Sequence, residues 1–473
     1  MAKIILDPVT RIEGHLKVEV EIDGLNTVTT AQATGTMFRG FENILIGRDP
    51  RDAVQITQRI CGVCPVPHAT AAVEALEQAF GITISDNART LRNLVQGTDF
   101  VSDHILHFYH LALLDYIKGP AVPPFTPTHG ADYRFSASDN QLFVDHYVKA
   151  LEMRRIAQEA GALFAGKVPH VMSYLPGGVT QAPDNTSVSA FRSYLDTLIA
   201  FIDNTYLPDV EKLGVAYSDY YSIGRGPGNL LSYGALPLDG AGTRLFRRGK
   251  CRIGSITSLD TSQISEQVKY SWYADTDSKR HPSQGTTSPV SSKAGAYSWL
   301  KAPRLLGEVY ELGALARMTV NNEYNGGISV MDRHKARALE ARKVAYAMRE
   351  WLYGLAFDSS GYKHVAQMPA NGSGEGFTEA TRGGLGHWFQ YAGGKLTRYQ
   401  IITPTCWNAS PRDDSAVPGA IEQALTGIRI ANPADPIELY RVVRSFDPCM
   451  GCAVHVTDAD RRSVTKILLT NAR

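Results

Sequence analysis

Leu16, Val18, Val20 and Ile22 alternate with polar neighbours and stop at Asp23-Gly24, so residues 3–36 read as a small sheet with a turn at that pair. Asp49-Pro50 has the form of a cap followed by proline in the first helical turn, with Asp52 beside the positive helix end, and the helix it starts reaches Cys61. Gly62, Pro65 and Pro67 interrupt it. A second helix resumes at His68 and ends at Gly81, a suitable C-cap. From Ser85 to Tyr116 the apolar spacing is helical, and the same spacing recurs near 139–165, 187–213, 297–320 and 332–356. Between 221 and 295, and again over 371–408, Gly, Ser, Thr and Tyr with short alternating runs predict strands and long loops. The expected class is α+β: a long-helix bundle core with small peripheral β-sheets. No internal repeat or low-complexity linker divides it.

Composition narrows the function classes. With 48 Lys+Arg against 47 Asp+Glu the net charge is +1, which gives no global pull towards nucleic acid or an anionic membrane. The densest basic run, RRGKCR at 247–252, reads as a solvated loop. No apolar run reaches the length of about 18 residues that a membrane span needs, and MAKIILDPVTRIEGH lacks the order of a secretory signal. The chain is therefore expected neither to export nor to anchor itself, although a partner bearing a signal could carry it after folding.

The chemistry sits in the cysteines. Cys61/Cys64 and Cys449/Cys452 form two Cys-x-x-Cys pairs at opposite ends of the chain, and only Cys251 and Cys406 remain. That is too few for a disulfide scaffold and implies assembly in a reducing compartment. Such pairs serve as structural zinc knuckles, thiol redox couples or halves of a catalytic metal site; converging thiolates make a soft site suited to nickel, iron, zinc or copper. Residue spacing alone leaves zinc and a catalytic metal open. Each pair has an imidazole nearby, His68 and His455, able to serve as ligand, outer donor or proton carrier. Arg11, Glu13 and His15 would share one strand face, a costly arrangement unless that face lines a polar site. Asp103, His104, His107 and His110 lie on one helix, where packing with hydrogen bonds is the plainer reading of the histidines. Glu379-Ala-Thr-Arg-Gly-Gly-Leu-Gly-His387 sets an arginine and a histidine among glycines that let backbone approach a small group closely.

With these residues assembled, the chain closely resembles the large subunit of nickel-iron hydrogenases over nearly its whole length. RIEGH at 11–15, FRGFENILIGRDPRDA at 38–53, RICGVCPVPH at 59–68, SDHILHFYHL at 102–111, KVPHVMSYLPGGV at 167–179, ATRGGLGHW at 380–388, PTCWNASPRD at 404–413 and DPCMGCAVH at 447–455 stand in family order. The resemblance implies nickel held by Cys61, Cys64, Cys449 and Cys452, with Cys64 and Cys452 also bridging to an iron that carries cyanide and carbon monoxide. It implies reversible heterolytic cleavage of dihydrogen, with Cys449 as thiolate proton acceptor and Glu13 as the first carboxylate on the way out. Arg382, paired with Asp103 and Asp447, is the alternative base. Arg382 and Thr405 would donate to cyanide and His68 to a bridging thiolate, while Glu42, the Ile401 carbonyl and His455 would hold magnesium.

The resemblance makes residues 1–455 one catalytic domain and 456–473 a propeptide removed by a maturation endopeptidase once nickel chaperones have acted. An obligate iron–sulfur small subunit follows, because two remaining cysteines cannot hold a cluster; a dimer of heterodimers is also admitted. Folding in the cytoplasm and a final periplasmic or membrane-associated site through the small subunit are expected. Two departures stand out: Thr381 occupies a place where the family commonly has proline, and Cys406 follows Thr405 where a hydroxyl residue is more usual. A hydrogen-sensing relative and a structural zinc protein are the alternatives; the quinone-pocket subunit of respiratory complex I lacks the four cysteines.

Overall fold

The alternating N-terminal segment folds as three antiparallel strands, β1 (Ala2–Asp7), β2 (Leu16–Ile22) and β3 (Val28–Gly35), with Leu16, Val18, Val20 and Ile22 all buried. The computed structural model describes residues 2–130, 132–357, 359, 361–365, 368–453 and 466–471, the last six together with 452 and 453 by backbone alone. Lys466–Asn471 pairs antiparallel with β1 at the sheet's outer edge. Between β1 and β2 the chain leaves the sheet: Arg11 (φ 55°) and Gly14 (φ 74°) take left-handed backbone, which breaks the period of two. Arg11, Glu13 and His15 therefore do not share a strand face, contrary to the sequence expectation.

Helix α1 (Pro65–Phe80) starts at Pro65 rather than at His68, because both prolines fall in the first turn, where no intrahelical N–H bond is lost. Gly81 closes it in left-handed conformation, as expected. Helix α2 (Asp86–Leu106) is capped by Ser85, whose Oγ accepts the Ala88 N–H at 3.1 Å. Helices α3 (Ala137–Ala165), α4 (Asn185–Phe201) and α5 (Leu207–Ala216) follow, and α2 packs on α3. The helix expected over 297–320 is not formed as such. Ala302–Leu305 is a strand, and only α6 (Ala314–Val320) is helical, because Pro303, Gly307 (φ 78°) and Gly313 (φ 131°) break the segment. Helix α7 (Val330–Tyr353) completes the bundle against α2 and α4. Gly249–Arg252 of the basic run is a strand rather than a loop, with Cys251 turned inward.

A three-stranded sheet, β4 (Gly372–Ala380), β5 (Gly383–Ala392) and β6 (Lys395–Ile402), lies against α1. The contact is unusually close because alanines on the helix face glycines on the strand: a Cβ at Gly374 would come 2.1 Å from the Ala75 carbonyl oxygen, and one at Gly376 2.1 Å from that of Ala71. Two segments are thereby fixed together, since Cys64 caps α1 and the β4–β5 turn carries Arg382. Helix α8 (Ile437–Ser445) delivers the chain to Asp447 and Cys449.

Candidate metal centre

The two ends of the chain meet through backbone. Glu13 and Cys449 form a parallel bridge, and the Met450 N–H donates to the Glu13 carbonyl at 2.7 Å. Gly14 makes this approach possible, because a Cβ there would lie 2.5 Å from the Gly451 nitrogen. Arg39 clamps the same junction, donating to the Ile60 carbonyl just before Cys61 and to the Gly451 carbonyl at 2.5 Å. Cys61, Cys64 and Cys449 are brought together in consequence, with sulfurs all within 4.8 Å of one another and each residue at most 2% exposed. Cys449 Sγ lies 3.4 Å from Cys61 Sγ and 3.8 Å from Cys64 Sγ. Thiolates about 2.3 Å from one tetrahedral ion stand about 3.8 Å apart, so the described sulfurs fit a single soft metal. The Val63 and Cys64 N–H groups point at Cys61 Sγ at 3.3 and 3.4 Å, which favours its thiolate. Cys452 has its backbone in the turn Met450–Ala453; its side chain, His455 and residues 456–465 lie outside the described residues.

Around the sulfurs stand the predicted polar groups. Cys449 Sγ donates to Glu13 Oε2 at 3.2 Å, and the Gly451 N–H donates to the same oxygen at 2.6 Å. Burial, followed by the nearby Cys61 thiolate, raises the Glu13 pKa, and the Cys449 and Gly451 donors only partly offset this. Arg382, 1% exposed, donates to Asp103 Oδ2 at 3.0 Å and lies 3.2 Å from Asp447 Oδ1. Burial opposes its charge, but Asp447, Cys449 when deprotonated, and Asp103 hold its proton more firmly than in water. Asp99, which sequence reasoning missed, is a further carboxylate, half-buried with its Oδ2 enclosed, and its pKa is raised by desolvation and by the charge of Asp103. It is one helical turn before Asp103, a spacing visible in the sequence but silent without the fold. Thr405 Oγ1 accepts the Cys449 N–H at 3.0 Å, which leaves its own proton available as a donor.

His68 bonds through Nδ1 to His387 Nε2 at 3.2 Å, and His387 Nδ1 meets the Tyr399 hydroxyl at 2.9 Å. If Tyr399 donates, His387 passes a proton-bearing Nε2 to His68 Nδ1, and His68 carries its proton on Nε2. Burial lowers the His68 pKa to about 4, so the ring is neutral at pH 7. The other helix histidines go separate ways, His104 to Glu340, His107 to the Arg444 carbonyl and His110 to the Tyr147 carbonyl, in keeping with packing. Glu42 accepts the Ile401 N–H at 2.8 Å and a hydroxyl bond from Thr287. A cavity of about 30 Å³ beside them is lined by the Glu42 and Glu266 carboxylates, Lys301, Ile401 and Cys406 together with the rings of Phe38, Phe41, Tyr273 and Trp299, room for one water-sized occupant.

Comparison with known proteins agrees with this geometry. A family model described as nickel-dependent hydrogenase matches residues 39–127, 119–328 and 322–455, and a HoxL-like model matches 3–34. The chain is 40% identical to the periplasmic NiFeSe hydrogenase large subunit of Desulfomicrobium baculatum, over 97% of this chain and 96% of that one. It is 33% identical to an uptake hydrogenase large subunit of Rhizobium leguminosarum bv. viciae, over 98% and 97%. The solved Ni-Fe-Se hydrogenase of D. vulgaris Hildenborough in the reduced state superposes with a TM-score of 0.93 at 41% identity, covering 96% of this chain and all of the other. The present sequence has cysteine at all four motif positions. From matches of this extent over a buried three-thiol cluster, the chain belongs to the nickel-dependent hydrogenase family, as a catalytic large subunit.

Proposed function

We propose that Cys61, Cys64, Cys449 and Cys452 hold nickel, that Cys64 and Cys452 share it with an iron carrying cyanide and carbon monoxide, and that dihydrogen is cleaved reversibly into protons and electrons at that centre. The observation that carries this reading is the convergence of the Cys61, Cys64 and Cys449 sulfurs from both ends of the chain. When bound, the metal pair supplies Lewis acidity towards dihydrogen and a place for its electrons. The chain's own residues manage the proton. Cys449 Sγ accepts it, and Glu13, 3.2 Å away and biased by burial towards its protonated form, takes it onward. Arg382 serves as a fixed positive charge and donor rather than as the base, since its carboxylate and thiolate neighbours strengthen its hold on its proton. Thr405 donates beside it, and His68 donates from Nε2 to a bridging thiolate.

Glu42 and the Ile401 carbonyl, with His455, take a magnesium ion; the small cavity bordered by the Glu42 and Glu266 carboxylates supports this. Electrons leave to an iron–sulfur small subunit in a heterodimer. Cys251 packs among Leu230, Ala316 and Val320 while Cys406 borders the Glu42 cavity, so the two remaining thiols are apart and too few for a cluster. Residues 456–473 are a propeptide whose removal by an endopeptidase follows nickel insertion by chaperones, a reading supported by the end of the family match at 455. A final site in the periplasm or on the membrane, reached through the small subunit, agrees with a relative named periplasmic. The test is isotope exchange between dihydrogen and deuterated water by the purified heterodimer. Exchange that persists in Cys449→Ser at the wild-type rate removes the proton-accepting role of Cys449.

A further inference from the structure

Arg317 lies outside the metal pocket, on α6, and is fully buried. All five of its N–H donors are used. Nε and Nη2 grip Glu340 at 2.9 and 2.5 Å, and Nη1 donates to Glu379 Oε2 at 2.6 Å. The other two bonds go to backbone: Nη1 to the Ala380 carbonyl at 2.9 Å and Nη2 to the Thr381 carbonyl at 2.7 Å. Those carbonyls immediately precede Arg382.

The turn they belong to joins β4 to β5. Ala380 pairs with Gly383, so Thr381 and Arg382 are the two residues of a tight hairpin turn. Turns of that length favour left-handed backbone, at both central residues in one type and at the first in the other. Thr381 and Arg382, both described, have left-handed backbone at neither position; only Gly383 (φ 133°) does. The turn's one left-handed residue is thus Gly383, just after its centre, and Thr381 brings no proline ring to stiffen it. Thr381 contributes instead through its side chain, with Oγ1 donating to Asp103 Oδ2 at 3.0 Å, the oxygen that also accepts from Arg382. Arg317 braces the other side of this contact too. Its partner Glu340 accepts from His104, the neighbour of Asp103 on α2, at 2.9 Å.

We infer that Arg317 is a positioning residue for Arg382, holding the Thr381–Arg382 turn by its carbonyls and the Asp103 side through Glu340 and His104. The inference rests on the role given to Arg382 above. Arg317→Lys keeps the charge but lacks the planar five-donor fork; Glu340→Gln weakens the grip without removing the arginine and serves where Arg317→Lys does not fold. In the heterodimer, backbone amide exchange across 381–383 should rise about tenfold or more in either variant, as expected for a turn that opens locally. The metal-bound cyanide infrared bands should shift, and dihydrogen oxidation should fall at unchanged nickel content. Arg382→Lys is the control. Unchanged exchange at 381–383 in a folded variant overturns the brace. Faster exchange with unmoved infrared bands and full turnover, where Arg382→Lys alters both, overturns the positioning role. An Arg382→Lys enzyme that matches wild type in bands and turnover defeats the reading of Arg382 itself.

Discussion

Replacing Glu13 by Gln isolates the proton step from the architecture around it. The bridge to Cys449 and the Met450 bond to the Glu13 carbonyl are backbone interactions, so the junction of the two chain ends does not depend on the carboxylate. The glutamine oxygen can still accept the Gly451 N–H now bound at 2.6 Å, and exchanging one hydrogen bond for another of its kind changes stability by about 1 kcal/mol. What is lost is a titratable group 3.2 Å from Cys449 Sγ whose pKa burial has raised. A positioned acid–base group contributes about a hundredfold to ten-thousandfold. At about 1.4 kcal/mol per tenfold, the barrier should rise by about 3–5 kcal/mol. The assay is dihydrogen oxidation with an artificial acceptor, alongside nickel and iron analysis and a thermal melt of the same heterodimer. The expected result is a hundredfold loss or more, as for removal of an acid–base group, with metal content and melting temperature close to wild type. Activity within about threefold of wild type, smaller than any acid–base role permits, would refute the assignment.

Gly376→Ala places a Cβ 2.1 Å from the Ala71 carbonyl oxygen and must push α1 from β4; overpacking of this kind costs about 1–3 kcal/mol, and a wild-type melting curve would contradict it. Thr405→Val leaves the buried Cys449 N–H without its acceptor, a loss of about 1–3 kcal/mol that should appear as weaker nickel retention on dialysis against chelator. Burial holds the His110 pKa down at about 4, below the unfolded value near 6.5. Between those values the unfolded chain binds a proton that the folded chain does not, so stability falls as pH drops from about 6.5 to about 4 and is flat above. The fall attributable to His110 is about 3 kcal/mol, to be read as the difference between wild type and His110→Gln in denaturant titrations across that range, and parallel curves would argue against it.

Much of this molecule could be read from residue order. Alternation placed β2, the Gly81 cap closed α1, helical spacing from Ser85 located α2, and two Cys-x-x-Cys motifs pointed to one soft-metal site before any contact was known. Misreadings came where local spacing met a backbone exception. Residues 297–320 have helical periodicity, but Pro303 and two glycines with positive φ turn part of it into strand. Arg11 and Glu13 looked like strand neighbours, while left-handed backbone at Arg11 and Gly14 frees the loop to bend onto Cys449. Partners distant in sequence were silent altogether. Arg317 reaches residues 340, 379, 380 and 381, and His387 meets His68 across the sheet–helix contact; each is an ordinary residue until the fold supplies its neighbours. Nor does residue order show the bond from Thr381 to Asp103.

The most direct test of the central claim is metal analysis of the purified mature heterodimer combined with its infrared spectrum in the metal-ligand stretching region. One nickel and one iron at the large-subunit centre, with bands from bound cyanide and carbon monoxide, are the predicted result. Zinc alone, with no such bands, would contradict the account.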